Sequence, residues 1–181
     1  MSDEQIVLLD EVTLLSKGTA PKIASHHAKT PLHLAFSCWL FDDQNRLLLT
    51  KRAKSKKVWP AVWTNSFCGH PAPNESLEAA IMRRAQYELG IAKLDNLRVV
   101  LPDYRYISPP YNGIIENEFC PVYFAGISST QEIVPNPQEV AKYEFVEPKI
   151  VRDKIAESPD RFSYWFKEQL NILSTRGILN E

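Results

Sequence analysis

Between Gly69 and Ile91 the chain carries the spacing G-x5-E-x7-R-x4-E-x-G-I, filled by Gly69, Glu75, Arg83, Glu88, Gly90 and Ile91. Such a spacing ties one loop to one helix. The apolar residues Leu77, Ala80, Ile81 and Ala85 recur every three or four positions, the period of a helix face turned toward a core. Asn74 suits the N-cap and Gly90 the C′ position. The spacing therefore predicts a helix of roughly four turns directly after the loop Cys68-Gly69-His70.

Elsewhere the period changes. Residues His33 to Phe41 form an apolar, aromatic-rich run, Asp42 to Asn45 a turn, and Arg46 to Arg52 a returning strand, which together read as a hairpin. Ile114 to Ala125 reads as a further strand, and Phe162, Trp165, Phe166, Gln169, Leu170 and Leu173 recur at helical spacing near the C-terminus. Strands and helices without regular βαβ alternation predict an α/β sandwich that is not doubly wound. A chain of 181 residues, 44% hydrophobic and 24% charged, is long enough for one domain with a sizeable core. We expect that domain to span residues 1–181, with residues 1–16 as a possible N-terminal extension strand and 160–178 as a helix packed on the body.

The formal net charge of −1 argues against a general polyanion-binding surface, so no nucleic-acid partner is expected. No run has membrane-spanning length and the N-terminus is acidic, which predicts a cytoplasmic protein without a membrane partner. Three cysteines, Cys38, Cys68 and Cys120, favour reduced thiols over a disulfide framework. Cys38 and Cys120 lie in strand-like segments and read as core. Cys68 reads either as a small buried filler or, beside His70 and a helix N-terminus, as a thiolate.

All four histidines precede residue 71. In Ile115-Glu116-Asn117-Glu118-Phe119, period two puts Glu116 and Glu118 on one face, and two like charges side by side call for a cation. From spacing alone, His33 and His70 read as ordinary partly buried, hydrogen-bonded histidines, with a metal cluster as the alternative. If imidazoles and carboxylates do converge, the mixed nitrogen and oxygen donors suit Zn²⁺ or Mn²⁺ better than Ca²⁺. The run Lys51 to Lys57 holds five cations in seven residues; it reads as a solvated loop or as a local site for a small phosphorylated ligand.

The box resembles that of Nudix proteins, but Arg84 and Tyr87 stand where pyrophosphate-cleaving members carry glutamates for Mg²⁺. Trp59-Pro60-x-x-Trp63-Thr64-Asn65-Ser66-x-Cys68-Gly69-His70-Pro71, Glu116-Asn117-Glu118-x-Cys120-Pro121 and Phe162-Ser163-x-Trp165 closely resemble type 1 isopentenyl-diphosphate isomerases. The resemblance runs from about Lys22 into the C-terminal helix. It implies a Nudix-like α/β/α sandwich with a mixed sheet, and isomerisation of isopentenyl diphosphate to dimethylallyl diphosphate by a 1,3-proton shift. It also implies a monomer or weak homodimer, with a small-molecule substrate as its partner.

Carried over position by position, His26, His33, His70, Glu116 and Glu118 match a five-ligand site for one divalent ion, Mn²⁺, Zn²⁺ or Mg²⁺, with His27 as the alternative to His26. Cys68 and Glu118 match the proton-transfer pair, and Tyr106 the tyrosine that assists Glu118. Glu88 matches a ligand of the Mg²⁺ bound with the diphosphate, while Lys22, Arg52, Lys56 and Arg84 match diphosphate contacts. Trp165 matches the aromatic facing the carbon skeleton, or else anchors the core. Two other readings are a Nudix-type pyrophosphohydrolase, disfavoured by Arg84 and Tyr87, and a non-catalytic diphosphate- or metal-binding module, which would need neither Cys68 nor Glu118.

Overall fold

The computed structural model describes residues 4–179. Strand β4 (Phe36–Asp42) sits at the centre and is buried on both faces. Its alternate residues Phe36, Cys38 and Leu40 join one core cluster, and Trp39 joins the other. A strand covered on both sides needs a layer above and below. Helix α2 (Leu77–Leu89) covers the first face through Ala80, Ile81, Ala85 and Leu89. Helices α3 (Pro148–Glu157) and α4 (Tyr164–Thr175) cover the second through Val151, Trp165, Phe166, Leu170 and Leu173. This is the expected α/β/α sandwich.

The larger sheet has the order β12-β5-β4-β11-β8, with β5 (Leu47–Arg52), β8 (Asp95–Leu101), β11 (Val122–Ile127) and β12 (Val140–Val146). The short strands β6 (Trp63–Thr64) and β7 (Phe67–Gly69) add to β5 and β4. A second sheet runs β2-β1-β3-β10-β9, from β2 (Ser16–Pro21), β1 (Gln5–Leu9), β3 (His33–Leu34), β10 (Asn117–Phe119) and β9 (Arg105–Ile107). Parallel pairs lie beside antiparallel ones in both. Met1 to Asp3, part of the expected 1–16 extension, lie outside the described residues; helix α1 (Lys22–Ser25) leads from β2 into His26.

Two elements read as single strands are each divided between the sheets. The run from His33 breaks at Ala35 into β3 and β4, and the run from Ile114 breaks at Cys120-Pro121 into β10 and β11. The breaks lie side by side: Ala35 N bonds Phe119 O at 2.9 Å and Ser37 N bonds Pro121 O at 3.0 Å. A bend shared by two adjacent strands is invisible to local periodicity.

Helix α2 begins later than Asn74. Asn74 adopts φ 64° in the preceding turn, and Ser76 is the N-cap, its side chain accepting from Ala79 N at 3.1 Å. The box carboxylate Glu75 receives Ala72 N at 2.7 Å and the Arg83 guanidinium at 2.8 and 2.7 Å, while Arg83 also holds His70 O at 3.1 Å. Glu75 and Arg83 thus clamp the loop after His70 onto the helix. Gly69 is required by space, because a Cβ there would lie 2.9 Å from both Arg84 Cγ and Phe36 Cζ. Gly90 is required by conformation, at φ 71° beyond the helix end.

Candidate active site

Strand register sets out one wall of the site. His33 on β3 pairs with Glu118 on β10, and Glu118 pairs with Tyr106 on β9. His70 follows β7, where Cys68 pairs with Ser37 of β4. His26 enters from the end of α1. The ligand atoms of His26, His33, His70 and Glu118 all lie within 4.8 Å of one another. His27 is exposed and accepts from Lys29 N at 3.0 Å, so His26 is the histidine that joins the cluster.

The protonation of these rings follows from their other partners. His26 Nδ1 meets Lys22 O at 2.7 Å and His33 Nδ1 meets Pro31 O at 2.9 Å. A carbonyl only accepts, so both Nδ1 atoms carry hydrogen, which leaves each Nε2 to present its lone pair whenever the ring is neutral. His33 Nε2 lies 3.2 Å from His70 Nε2, and Glu118 Oε1 lies 3.1 Å from His70 Nε2 and 3.5 Å from His33 Nε2. Donor atoms about 2.1 Å from a shared cation stand roughly 3.0 to 3.4 Å apart in octahedral or tetrahedral arrangement. The triangle therefore fits a divalent metal.

Burial and the neighbouring charge of Lys22 press the His70 pKa down to about 3, and burial lowers that of His26. Both are neutral, the form that ligates. Burial opposes ionisation of Glu118, but hydrogen bonds from His33 and His70 hold it well below the usual carboxylate range. Glu116 is different. Burial and the charge of Glu118 push it up to about 7, and among the described residues it is absent from the convergent group. It joins the cluster through Tyr106, whose hydroxyl oxygen lies 3.1 Å from Glu116 Oε2 and 2.9 Å from Glu118 Oε2.

Cys68 is half-buried on the same cavity. Its thiol sits between Asn65 Oδ1 at 3.4 Å and Asn65 Nδ2 at 3.3 Å. The neighbourhood does not produce the thiolate that His70 and the helix end suggested, since burial pushes the thiol up to about 12. Trp165 is 3% exposed yet lines the cavity, with its indole N–H on Asn65 Oδ1 at 3.1 Å and the Arg52 guanidinium 5.5 Å from its ring. It is both core and wall.

The cavity, of about 200 Å³, continues from Cys68, Glu118 and Tyr106 to Lys22, Arg52, Lys56, Arg84 and Glu88. Each predicted cation there has a partner. Lys22 pairs with Glu4 at 2.8 Å, and Arg52 donates to Trp59 O at 3.0 Å and Val58 O at 3.1 Å. Lys56 pairs with Glu139, and Arg84 pairs with Glu88 at 2.6 Å and Glu139 at 3.4 Å. Sequence reasoning missed Glu139, which lies just before β12, because nothing local marks a carboxylate that answers cations 83 and 55 residues away.

Comparison with known proteins agrees with this geometry. A family model for the NUDIX domain matches residues 31–166. A Paenarthrobacter aurescens protein named isopentenyl-diphosphate Delta-isomerase is 49% identical over 176 residues, covering 97% of this chain and 94% of the relative. A Citrobacter koseri protein of the same name is 46% identical over 181 residues, covering 100% and 98%. The chain belongs to the isopentenyl-diphosphate Delta-isomerase family. Within that family's Nudix fold its likeness extends to much more distant proteins. A Deinococcus radiodurans protein matches with a TM-score of 0.71 at 21% identity, covering 93% of this chain and 98% of that one. A MutT protein of Methanosarcina mazei matches with a TM-score of 0.62 at 14% identity, covering 81% and 96%. Those two likenesses concern the fold alone.

Proposed function

We propose that this chain isomerises isopentenyl diphosphate to dimethylallyl diphosphate by adding a proton to the terminal alkene carbon and removing one from C2. One observation carries the reading: a single cavity is lined both by Cys68, Glu118 and Tyr106 and by Lys22, Arg52, Lys56 and Arg84. The cations hold the diphosphate, and the short carbon chain lies between the two proton-transfer groups.

In this mechanism Cys68 and Glu118 divide the work. One gives a proton to the alkene while the other takes one from C2. In the direction that forms dimethylallyl diphosphate, Glu118, assisted by Tyr106, gives the proton to the terminal alkene carbon and Cys68 takes the one from C2. The opposite assignment serves the reverse direction. Protons reach Glu118 from Glu116 through Tyr106, whose hydroxyl touches both carboxylates. Trp165 offers its face to the tertiary carbocation formed between the two steps, a contact of about 2 kcal/mol, or about 30-fold in rate.

His26, His33, His70 and Glu118, with Glu116 beside them, would hold one divalent ion that sharpens the acidity of the carboxylate, and Glu88 would hold a Mg²⁺ that neutralises the diphosphate. The arrangement disfavours pyrophosphate cleavage. Arg84 is buried against Glu88, and Tyr87 is 48% exposed with the Arg84 guanidinium 5.1 Å from its ring, so neither helps Glu88 collect metal for attack at phosphorus. Among the described residues no helix is long and apolar enough to cross a membrane, and we propose cytoplasmic action as a monomer or weak homodimer. Incubation with isopentenyl diphosphate and Mg²⁺, followed by separation of products, tests the reading. Dimethylallyl diphosphate without free phosphate is expected; phosphate release without isomer would support the hydrolase instead.

A further inference from the structure

Asn65 is completely buried and does not line the cavity, yet its side chain bonds four residues that do, Thr64, Phe67, Cys68 and Trp165. Its Nδ2 donates to Cys38 O at 3.0 Å and Phe67 O at 2.9 Å. Both partners are carbonyls, which fixes the nitrogen end of the amide and directs Oδ1 the other way. Three groups converge on that oxygen: Trp165 Nε1 at 3.1 Å, Thr64 Oγ1 at 2.9 Å and the Cys68 thiol at 3.4 Å. Thr64 Oγ1 also meets Ser163 Oγ, the N-cap residue of α4, at 2.9 Å. One amide thus joins the segment that carries Cys68 to the helix that carries Trp165, 100 residues away.

We infer that Asn65 is a positioning residue that holds the Cys68 thiol and the Trp165 indole in register with each other on one wall of the cavity. The inference deepens the isomerase reading and rests on it. Proton transfer at C2 and stabilisation of positive charge on the neighbouring carbon require the two side chains to face one small skeleton together, and a misplacement of about 1 Å can cost on the order of 10²-fold in rate. No other side chain supplies this pattern. Aspartate turns an oxygen onto two carbonyls, leucine makes none of the bonds, and glutamine is one methylene too long for the gap. The string Thr64-Asn65-Ser66-x-Cys68 contains the residue but assigns it nothing, because its partner Trp165 is distant in sequence.

The test is a double-mutant cycle on kcat, with KM and melting temperature measured for each protein. Asn65→Ala is expected to lower kcat about tenfold or more and to leave KM for isopentenyl diphosphate within about threefold, since the diphosphate end is untouched. Trp165→Phe, which removes the indole donor, should cost severalfold in the parent and less than about twofold in the Asn65→Ala background. Asn65→Ser is carried alongside and read in the same way if the alanine variant does not fold. A kcat within about threefold of the parent, costs that multiply independently, or a loss of rate that only follows the folded fraction would each overturn the inference. Failure of both Asn65 variants to fold would also overturn it, showing that the amide serves only the strands. A parent without isomerase activity would instead overturn the proposed function, and this inference with it.

Discussion

Arg84 places Nε and Nη2 on a single oxygen of Glu88, at 2.9 and 2.6 Å, one helical turn away. The arginine proposed to contact the diphosphate and the carboxylate proposed to meet its Mg²⁺ therefore neutralise each other. Burial raises the Glu88 pKa against the pull of Arg84, so the pair stands on a balance that an anion and a cation together can replace.

Glu88→Gln should weaken the Mg²⁺ dependence of turnover while the metal at His33 and His70 stays bound. Glu139 remains 3.4 Å from Arg84, which limits the stability loss to about 1–3 kcal/mol. Elemental analysis and thermal unfolding of the variant check both statements. Loss of the histidine-bound metal would show that the ligands have been divided wrongly.

Cys68→Ala should fold normally and lose about 10² to 10⁴-fold in turnover. The side chain is small and its contacts with Asn65 are long, so little packing is lost. Steady-state kinetics on protein of unchanged melting temperature decides it. Turnover within tenfold of the parent would remove Cys68 from the mechanism.

Metal affinity at the histidine cluster should rise with pH. Glu116 holds a proton up to about pH 7, and His33 is raised because bonding to Glu118 outweighs its burial. Ligands must shed these protons, so a metal competes with them below the raised values and no longer does so above them. Titration of metal-free protein with Mn²⁺ in buffers of different ionisation enthalpy should show proton release at about pH 6 and much less at about pH 8. Equal affinity at both would contradict the proposed ligand set.

Trp165→Phe should cost only severalfold in turnover, whereas Trp165→Leu should lose considerably more at similar stability, because a π face is kept in one and lost in the other. Trp165 also packs 6.1 Å from Tyr106 and 6.2 Å from Trp59, centroid to centroid. If kcat simply follows melting temperature across the two variants, packing is its whole role.

Much of this was legible in the sequence because it is local. The period of α2, the Gly90 terminus and the apolar face of α4 are all read within one or two turns. Alternation alone put Glu116 and Glu118 on one face, and the Tyr106 hydroxyl touches both. The choice of His26 over His27 was not legible, since it depends on how α1 ends. Nor were the bends at Ala35 and Cys120-Pro121, which exist because two strands pair with each other and change sheets together. Asn74 lost the cap to Ser76 when the turn drew it into the left-handed region. Glu139 and the link from Asn65 to Trp165 escaped for a shared reason: the residues that meet are tens of positions apart or more, and no spacing rule connects them.

The central claim is that one cavity adds a proton to an alkene and removes another without breaking the diphosphate. Incubation with isopentenyl diphosphate in D₂O, followed by mass spectrometry of the diphosphates, tests it most directly. The account predicts dimethylallyl diphosphate carrying deuterium in a methyl group, with the diphosphate intact, and no such product from Cys68→Ala. Cleaved diphosphate with no deuterium in the carbon skeleton would contradict it.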